Sequence, residues 1–392
     1  AESPARRWLV DQVLLPCYRP VIPAESVWQW ADRDNVYLSD LGTGRAGYYR
    51  SRLTPWTREF QETATSDRFD EDHVLKSSRV GFTEAFLNVL RFMPDHMPGP
   101  ALLALDSLNE GKDVNRERLI PTLRDSNLTD DEDDVASKRI KLRNMIIKVA
   151  GSYSAGTFRN KGYKVIGLDE VEVNDSIEHE GTTHDLARSR QSDVPGAKLF
   201  TMSKAKRWAS AHHRECATGT LSAYLVPCPH CGTFQELSLD GESPTHYLRL
   251  DEPLTAGAHP LSPRLGHQNP DGSWCEVPAP RLGRLQFSHC KNLLGEWDDV
   301  QIERDTWYEC VRGCHITGEE TLTAAHAWLF PGCPEVADRL AAGETMNAKL
   351  AMMLAGRWLQ TNHRPKPRKR SRHISDLYSL HEKLSWSRLA AR

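Results

Sequence analysis

Residues 72–92 read D-H-V-L-K-S-S-R-V-G-F-T-E-A-F-L-N-V-L-R-F, and this stretch decides the fold class. From His73 it opens with a short apolar run, continues through a loop of Ser and Gly, and then repeats apolar residues at helical spacing. The stretch therefore predicts a strand, a loop and a helix in succession. Such a unit is typical of α/β proteins with a parallel sheet.

Further apolar strands follow along the chain. They are predicted at 100–106, 163–170 and 198–203, with a polar helix from 109 to 123 after the first of them. Apolar strands separated by helical stretches predict an α/β core with a mostly parallel central sheet. The segment 322–360 is helical in pattern, and no internal repeat is found.

The composition is that of a globular protein. Of 392 residues, 39% are hydrophobic and 26% are charged, which excludes a disordered, collagenous or coiled-coil chain. A mean hydropathy of −0.56 and the lack of a run of about 18 apolar residues argue against a membrane span. Residues 1–10 lack the apolar core of a signal peptide. We therefore expect a soluble, cytosolic protein without membrane partners.

The charge is distributed unevenly along the chain. The formal net charge is only −3, but an acidic block at 125–134 contrasts with a basic block at 363–373. Charge runs of this kind predict solvated loops, and the basic block is alternatively a contact to phosphate backbone. We expect the basic block to link the helical segment to a last segment, 374–392.

Residues 76–83 lie where a phosphate-binding loop would lie, after a strand and before a helix. Their spacing matches G-x-x-x-x-G-K-[ST], but Lys76 replaces the first Gly and Phe82 replaces the Lys. Lys76 would reach the phosphates from the start of the loop, and Thr83 would bind Mg²⁺. Backbone N–H groups would cradle the anion from Ser77, Ser78, Arg79, Val80, Gly81 and Phe82. An ordinary strand-to-helix turn is the alternative.

Two adjacent acids, Asp169 and Glu170, end the apolar strand V-I-G-L-D-E. Ligands bind at the carboxyl ends of strands in open α/β sheets, so these acids are candidates for a nucleotide site. Asp169 would hold the Mg²⁺ shell and Glu170 would polarise the attacking water. Two acids that merely cap a strand are the alternative.

Phosphoryl transfer also needs positive charge on the γ-phosphate. Arg79 lies inside the loop and would act in cis. Arg159, ten residues before Asp169, would either reach a neighbouring subunit's site or lie on the surface.

Four residues upstream of the loop are candidates to stack on or bond to adenine, with packing roles as the alternative. They are Tyr48, Tyr49, Trp56 and Arg58.

Two cysteine pairs indicate a metal site. Cys228 and Cys231 stand in C-P-H-C-G, and Cys310 and Cys314 stand in C-V-R-G-C-H. Four thiolates satisfy tetrahedral Zn²⁺ and make a structural site, although His315 is an alternative ligand in the second pair. A redox C-x-x-C is the rival interpretation, but the preceding sequence lacks its βαβ setting.

These motifs resemble the lambda-type large terminase subunits, the ATP-driven motors that package DNA into phage heads. The similarity covers nearly the whole chain and rests on W-A-D at 30–32, G-Y-Y-R with T-P-W at 47–56, K-S-S-R-V-G-F-T-E at 76–84, L-D-E-V-E at 168–172, V-P-C-P-H-C-G at 226–232, W-Y-E-C at 307–310, H-I-S-D-L-Y-S-L at 373–380 and S-W at 385–386.

The resemblance implies a RecA-like P-loop ATPase fold of the additional-strand (ASCE) type, with an inserted zinc-binding module. It implies a Walker A motif whose lysine is displaced to Lys76 and a Walker B pair at Asp169 and Glu170. It also places a coupling segment at 201–203, where Ser203, with Thr201, would sense the γ-phosphate.

The implied ligands and partners are ATP, Mg²⁺, structural Zn²⁺, double-stranded DNA, the portal protein and the small terminase subunit. The implied assembly is a homo-oligomeric ring in the host cytoplasm. Four parts are expected: an adenine-side lead-in at 1–60, the ATPase core at 61–225, the zinc-binding insertion at 226–320, and a C-terminal helical segment with the basic linker at 321–392.

The chain departs from the family in two ways. Members carry a C-terminal nuclease domain, and the sequence ends at Arg392 where that domain would begin, so we assign no nuclease activity. The second cysteine pair is C-x-x-x-C, whereas the family commonly has C-x-x-C. Two other functions remain open: a superfamily-2-like helicase or remodelling ATPase, which would need a second RecA-like lobe, and a zinc-ribbon DNA-binding module with an inactive ATPase.

Overall fold

The computed structural model describes residues 25–38, 46–125, 135–136, 138–142, 144–152, 155–158, 162–171, 181–204, 209–242, 245, 266–268, 274–276, 283–292, 294–362, 364–381 and 385–391. Arg159 and most of the acidic block at 125–134 lie outside these residues.

The strands fall into one large mixed sheet and three small sheets. They are β1 (Tyr37–Leu38), β2 (Gly47–Tyr48), β3 (Glu71–Lys76), β4 (Ala101–Leu105), β5 (Val135–Ala136), β6 (Arg139–Lys141), β7 (Ile146–Gly151), β8 (Val165–Asp169), β9 (Lys198–Ser203), β10 (Ser222–Pro227), β11 (Phe234–Glu236), β12 (Gly266–Gln268), β13 (Trp274–Glu276), β14 (Arg284–Gln286), β15 (Trp307–Glu309), β16 (His315–Ile316), β17 (Thr321–Leu322), β18 (Met346–Asn347), β19 (Arg357–Gln360) and β20 (Lys369–Ile374).

The large sheet has a parallel centre and antiparallel flanks. Its central order is β10-β20-β3-β9-β8-β4-β7, and each of these strands runs parallel to its neighbours in that order. β11, β12, β13 and β19 extend one side, and β6 and β5 extend the other, all by antiparallel pairing. The predicted α/β class with a parallel core is confirmed.

Helices pack against this sheet. The α-helices are α1 (Val27–Trp30), α2 (Arg58–Glu62), α3 (Phe82–His96), α4 (Leu108–Val114), α5 (Ile120–Asp125), α6 (Thr183–Ser189), α7 (Ala211–Ala217), α8 (Asp299–Asp305), α9 (Pro334–Ala341), α10 (Ala348–Leu354) and α11 (Trp386–Ala390). π-turns span Ala31–Asn35 and Asn115–Leu119, and 3₁₀ turns span Ser51–Leu53, Pro55–Thr57, Ala155–Phe158, Ala324–Leu329 and Asp376–Tyr378.

The helix α3 packs directly on the centre of the sheet because one glycine makes room for it. A Cβ atom at Gly167 in β8 would lie 2.2 Å from the ring of Phe86. Phe86 also packs against Phe200 of β9, with ring centroids 5.5 Å apart. The glycine in V-I-G-L-D-E therefore sets the distance between α3 and the strand that carries Asp169.

The prediction that the basic block is a linker is wrong for its second half. Residues 369–373 of the block, with Ile374, form β20, which pairs along its whole length with β3 in the middle of the sheet. Arg372 is fully buried and donates to Asp72 of β3 at 2.7 Å, while Lys369 pairs with Glu215 of α7. The charges are compatible with burial because carboxylates from neighbouring elements neutralise them.

The segment 322–360 was also only partly predicted. α9 and α10 confirm its helical parts, but it contains β18 and ends in β19, which pairs antiparallel with β10. A four-residue strand is too short to interrupt a helical pattern visibly in the sequence.

The division into four parts remains a prediction. Among the described residues, no helix is long and apolar enough to cross a membrane.

Candidate functional site

The carboxyl end of β3 and the loop that follows it form the floor of the site. In this loop Arg79 has φ 60° and Gly81, which caps the start of α3, has φ 82°. A Cβ atom on Gly81 would lie 2.7 Å from Cγ2 of Thr54. Both the left-handed backbone and the contact with Thr54 therefore require glycine at this position.

Lys76, the last residue of β3, bridges the two acids at the end of β8. Its Nζ lies 3.0 Å from Oδ1 of Asp169 and 3.2 Å from Oε1 of Glu170. Burial alone disfavours the charged ammonium, but the two carboxylates outweigh it and raise the pKa of Lys76. The ammonium and both carboxylates thus meet at the carboxyl ends of two parallel strands, as the sequence predicts.

Thr83 brings a hydroxyl group to the same point. It donates to Oδ2 of Asp169 at 2.5 Å. A hydroxyl and a carboxylate in contact are the oxygen donors that Mg²⁺ uses at phosphate sites.

Glu170 is held in a strained backbone conformation beside Asp169. Its φ is 54°, and its N–H donates to the carbonyl of Met202 in β9 at 2.8 Å. A non-glycine residue in this region costs about 1 kcal/mol or more, and such strain concentrates at functional sites.

The loop side chains divide between core and solvent. Phe82 is fully buried, with its ring centroid 5.2 Å from that of Phe60, and Val80 is also buried. Ser78 is exposed, and the N–H of Ser77 donates to the carbonyl of Ile374 at 3.0 Å. Phe82 therefore lines the core, so only its backbone can contribute to an anion site.

The two candidate arginines differ in what the structure describes. Arg79 is exposed, with Nη1 3.4 Å from Nε2 of His381, and its carbonyl accepts from Ser379 at 3.3 Å. Arg159 lies outside the described residues.

The four adenine-side candidates differ in burial and in hydrogen-bond partners, and their role remains a prediction. Trp56 is buried and donates to the carbonyl of Val80 at 2.8 Å, so it holds the backbone of the loop at 76–81 in place. Tyr49 is buried, and its hydroxyl accepts a hydrogen bond from Gln61 at 3.1 Å, whereas Tyr48 is half exposed. Arg58 pairs with Glu335 at 2.9 Å.

The predicted coupling residues lie on β9, between β3 and β8. Thr201 and Ser203 are both fully buried. Thr201 lies 2.7 Å from Nδ1 of His73 and 3.4 Å from Nδ1 of His212. The carbonyl of Met202, which lies between them, accepts the hydrogen bond from the N–H of Glu170.

Two further acids of this site were missed by the sequence analysis. Asp106 follows β4, the strand beside β8, and its buried Oδ1 has no hydrogen-bond partner. Burial and the nearby carboxylates of Asp169 and Asp106 raise the pKa of Glu110 in α4. The signal was present, because Asp106 ends an apolar strand in the way that Asp169 does.

The four predicted metal-binding cysteines come together as a second site. The sulfur atoms of Cys228, Cys231, Cys310 and Cys314 all lie within 4.8 Å of one another, and those of Cys231 and Cys310 are 3.9 Å apart. A tetrahedral Zn²⁺ site with bonds of about 2.3 Å has sulfur atoms about 3.8 Å apart.

Each cysteine pair forms a tight turn that points an N–H group at sulfur. The N–H of His230 lies 3.5 Å from the sulfur of Cys228, and that of Arg312 lies 3.2 Å from the sulfur of Cys310. Gly232 and Gly313 have φ of 70° and 81°. These features suit thiolate ligands, and the extra residue in C-x-x-x-C is accommodated by Gly313.

His315 is not part of this cysteine group. It is exposed and its ring packs on Trp307, with centroids 4.0 Å apart.

Comparison with known proteins identifies the class to which this fold and site belong. Residues 43–260, more than half of the chain, match the family described as "Phage terminase large subunit gpA, ATPase domain". The chain therefore belongs to this family of phage terminase ATPase domains, as the sequence motifs predicted.

Two curated relatives are similar over part of their length. The large terminase subunit of Escherichia phage lambda is 26% identical over 251 residues, which are 61% of this chain and 38% of that protein. The large terminase subunit of Enterobacteria phage P21 is 24% identical over 236 residues, 57% of this chain and 36% of that protein. The match thus spans less than two fifths of either relative.

Solved structures with a related arrangement are also large terminases. The HK97 bacteriophage large terminase has a TM-score of 0.38 at 15% identity, covering 47% of this chain and 39% of that one. The Thermus phage P74-26 large terminase ATPase domain has a TM-score of 0.33 at 10% identity, covering 44% of this chain and 71% of that one.

Proposed function

We propose that this chain is the ATPase portion of a DNA-packaging motor, which hydrolyses Mg-ATP and uses the energy to move double-stranded DNA into a phage procapsid in the host cytoplasm. The observation that carries the proposal is the contact of Lys76 with both Asp169 and Glu170. It joins a phosphate-binding cation to a metal-binding acid and a general base.

The strand order supports a RecA-like fold of the additional-strand type. β9 lies between β3, which precedes the loop, and β8, which carries the acids. In P-loop ATPases of this type, one extra strand separates the two strands that carry these motifs. β9 also carries the proposed coupling segment, so the strand that separates the motifs contacts both of them.

Magnesium, when bound with ATP, neutralises charge on the β- and γ-phosphates during phosphoryl transfer. Thr83 and Asp169 would hold the magnesium ion. Oδ1 of Asp106, which has no hydrogen-bond partner, would accept from a water molecule bound to that ion. Lys76 would exchange the two carboxylates for phosphate oxygens when nucleotide binds. The loop N–H groups and the start of α3 would orient the phosphates.

Glu170 would act as the general base. Its carboxylate lies beside Lys76 at the carboxyl ends of the central strands, where a water attacking the γ-phosphate would bind. Arg79 is exposed on the loop and would stabilise the developing negative charge. Arg159 would do so from a neighbouring subunit in a ring-shaped homo-oligomer.

We further propose that the four-cysteine site binds structural Zn²⁺. Bound zinc would join the turn before β11 to the turn between β15 and β16, since these turns supply the two pairs of ligands. The thiolates leave no open coordination position, so the site has no catalytic role. Double-stranded DNA, the portal protein and the small terminase subunit would be the motor's partners.

Steady-state Mg-ATP hydrolysis by the purified chain, with and without linear duplex DNA, tests this proposal. We expect turnover that DNA stimulates. Lys76→Ala and Glu170→Gln should each lower kcat by about 10²–10⁴-fold, because they remove phosphate binding and the general base. Glu117→Gln, the same change on an exposed glutamate, is the control and should leave kcat unchanged.

Two results would contradict the proposal. Hydrolysis that survives Lys76→Ala would remove the displaced lysine from the phosphate site. A chain that binds DNA but hydrolyses no ATP, even when it binds the nucleotide, would favour a DNA-binding module with an inactive ATPase.

A further inference from the structure

Three fully buried histidines meet beneath the proposed coupling segment. They are His73 of β3, His184 of α6 and His212 of α7, each exposed by no more than 2%. One ring nitrogen from each lies within 4.8 Å of those of the other two. Three elements that are distant in sequence thus bring three imidazoles to one point, which the proposed ATPase mechanism does not use.

The outward nitrogens of two of these rings are held by hydrogen-bond acceptors. Nε2 of His73 lies 2.8 Å from the carboxylate of Glu71, and Nε2 of His212 lies 3.0 Å from the carbonyl of Val74. A carbonyl and a carboxylate can only accept, so in a neutral ring each Nε2 carries the proton. Nδ1 of both rings then carries the lone pair, which faces the hydroxyl of Thr201.

This pattern is the one that metal-binding histidines show. Such histidines nearly always donate their second N–H to a carboxylate or a backbone carbonyl, which fixes the tautomer and orients the ring. The neutral ring is the form that binds metal, because one of its two nitrogens then carries a lone pair.

The inward nitrogens are spaced for a small cation. Nε2 of His184 lies 3.3 Å from Nδ1 of His212, and ligands on a tetrahedral Zn²⁺ with bonds of about 2.0 Å are separated by about 3.3 Å. The hydroxyl of Thr201 bonds Nδ1 of His73 at 2.7 Å and lies 3.4 Å from Nδ1 of His212, so it would turn from this hydrogen bond to the ion when zinc binds.

A neighbouring group of acids is not an equivalent site. Glu71 and Glu215 lie beside His73, but Arg188 donates to them at 2.7 and 2.5 Å, and Lys369 pairs with Glu215. These side-chain cations already neutralise the carboxylates. Glu71 therefore orients His73 by a hydrogen bond, and the imidazole cluster is the better candidate for binding a cation.

We propose that His73, His184 and His212 bind a second zinc ion, distinct from the four-cysteine site. Imidazole nitrogens suit borderline divalent metals, and three of them with an oxygen donor match tetrahedral Zn²⁺. This ion would tie the strand that precedes the phosphate loop to α6 and α7, next to Thr201 of β9. The inference goes beyond the proposed function and does not rest on it.

Metal analysis of the full chain, produced without a histidine tag and gel-filtered after incubation with Zn²⁺, tests the proposal. We expect two zinc ions per chain. Zinc-edge X-ray absorption of the wild-type chain should then show sulfur neighbours at about 2.3 Å together with imidazole nitrogens at about 2.0 Å. This measurement needs no variant and separates the histidine site from the cysteine site.

A matched pair of variants on α7 completes the test. His212→Asn should lower the zinc content from two ions to one and leave a sulfur-only spectrum. His213→Asn is the control, because His213 is equally buried and adjacent, but its Nδ1 accepts from the backbone of Ala209 at 2.9 Å. It should keep both ions.

One zinc ion per chain with a sulfur-only spectrum would overturn the histidine site while leaving the cysteine site intact. A second zinc ion that persists in a folded His212→Asn chain would also overturn it. If His212→Asn does not fold, the wild-type spectrum alone decides.

Discussion

At the scale of single residues, the positions of two side chains bear on how the proposed phosphate loop would work. Lys76 reaches the acids from the end of β3, while Phe82, at the position where most such loops carry lysine, is buried against Phe60. A side chain at position 82 points into the core because α3 begins there and packs on the sheet. A cation at this position would be buried away from the phosphates.

Moving the lysine back to position 82 is therefore expected to fail. Phe82→Lys should lower the free energy of unfolding by about 3–5 kcal/mol, because it removes a core ring and buries an ammonium group. Combined with Lys76→Ala, it should not restore ATP hydrolysis. Phe82→Leu, the apolar control, should cost about 1.5 kcal/mol or less. Denaturant unfolding and ATPase assays measure both effects, and restored turnover in the double variant would refute this account of the loop.

Glu84 gives a pH-dependent prediction at the same scale. It pairs with Arg91 at 2.5 Å and with Arg118. Burial alone would raise its pKa, but the two guanidinium groups lower it to about 2 from an ordinary 4.5. Because the folded-state pKa is depressed, the stabilisation is complete above about pH 5 and is lost as the pH falls from about 4.5 toward 2.

We expect Glu84→Gln to lower the free energy of unfolding by about 3 kcal/mol at neutral pH, and the difference from wild type to shrink below about pH 4.5. Urea unfolding at a series of pH values measures it. Glu344→Gln breaks an exposed pair with Arg339 and should cost at most about 1 kcal/mol. A difference that stays constant into acid would show that Glu84 acts through packing instead of charge.

At the scale of elements, β20 shows how a basic segment becomes part of a core. Its six residues pair in register with β3, so residues almost 300 positions apart in the chain lie side by side at the strand that leads into the phosphate loop. The fully buried pair of Arg372 and Asp72 joins the two strands.

Breaking that pair should be far more costly than breaking an exposed one nearby. Arg372→Met leaves Asp72 buried without its cation and should lower the free energy of unfolding by about 3–5 kcal/mol. Arg368→Ala removes an exposed pair with Asp70 and should cost about 0–1 kcal/mol. Adding Asp72→Asn to Arg372→Met should recover part of the loss. Equal effects of Arg372→Met and Arg368→Ala in chemical denaturation would contradict the ion-pair account.

At the scale of the whole molecule, the four cysteines connect parts of the chain that the sheet alone does not. One pair follows β10 directly, and the other lies between β15 and β16 in a separate small sheet. The N–H of Val311 also donates to Gln235 of β11 at 3.0 Å, so the second turn rests on the large sheet. Loss of the proposed zinc ion would therefore loosen this side of the molecule.

Cys231→Ser tests that connection. We expect it to lose one zinc ion per chain and to lower Tm by roughly 5–10 °C, since the remaining thiolates no longer complete a tetrahedral site. Cys333→Ser is the control, because the Cys333 sulfur lies outside the cluster and contacts the carbonyl of Leu354 at 3.7 Å. Metal analysis and thermal unfolding provide both values. Unchanged zinc content in Cys231→Ser would exclude the four-cysteine site.

The class of fold, the loop, the two acids and the cysteine pairs could all be predicted from the amino-acid sequence. These signals are local: an apolar strand, a glycine turn or a paired cysteine is defined by residues a few positions apart. The structure brought Lys76 to Asp169 and Glu170 as those local signals predicted.

The remaining features depend on contacts between residues that are far apart in the chain. The basic segment at 369–374 became a central strand because Asp72 and Glu215, far away in sequence, neutralise its buried charges. Asp106 lies in the site, and the three histidines lie together, because parallel strands and the helices between them place distant residues side by side. Such pairings depend on long-range contacts, and no periodicity or spacing within one segment encodes them.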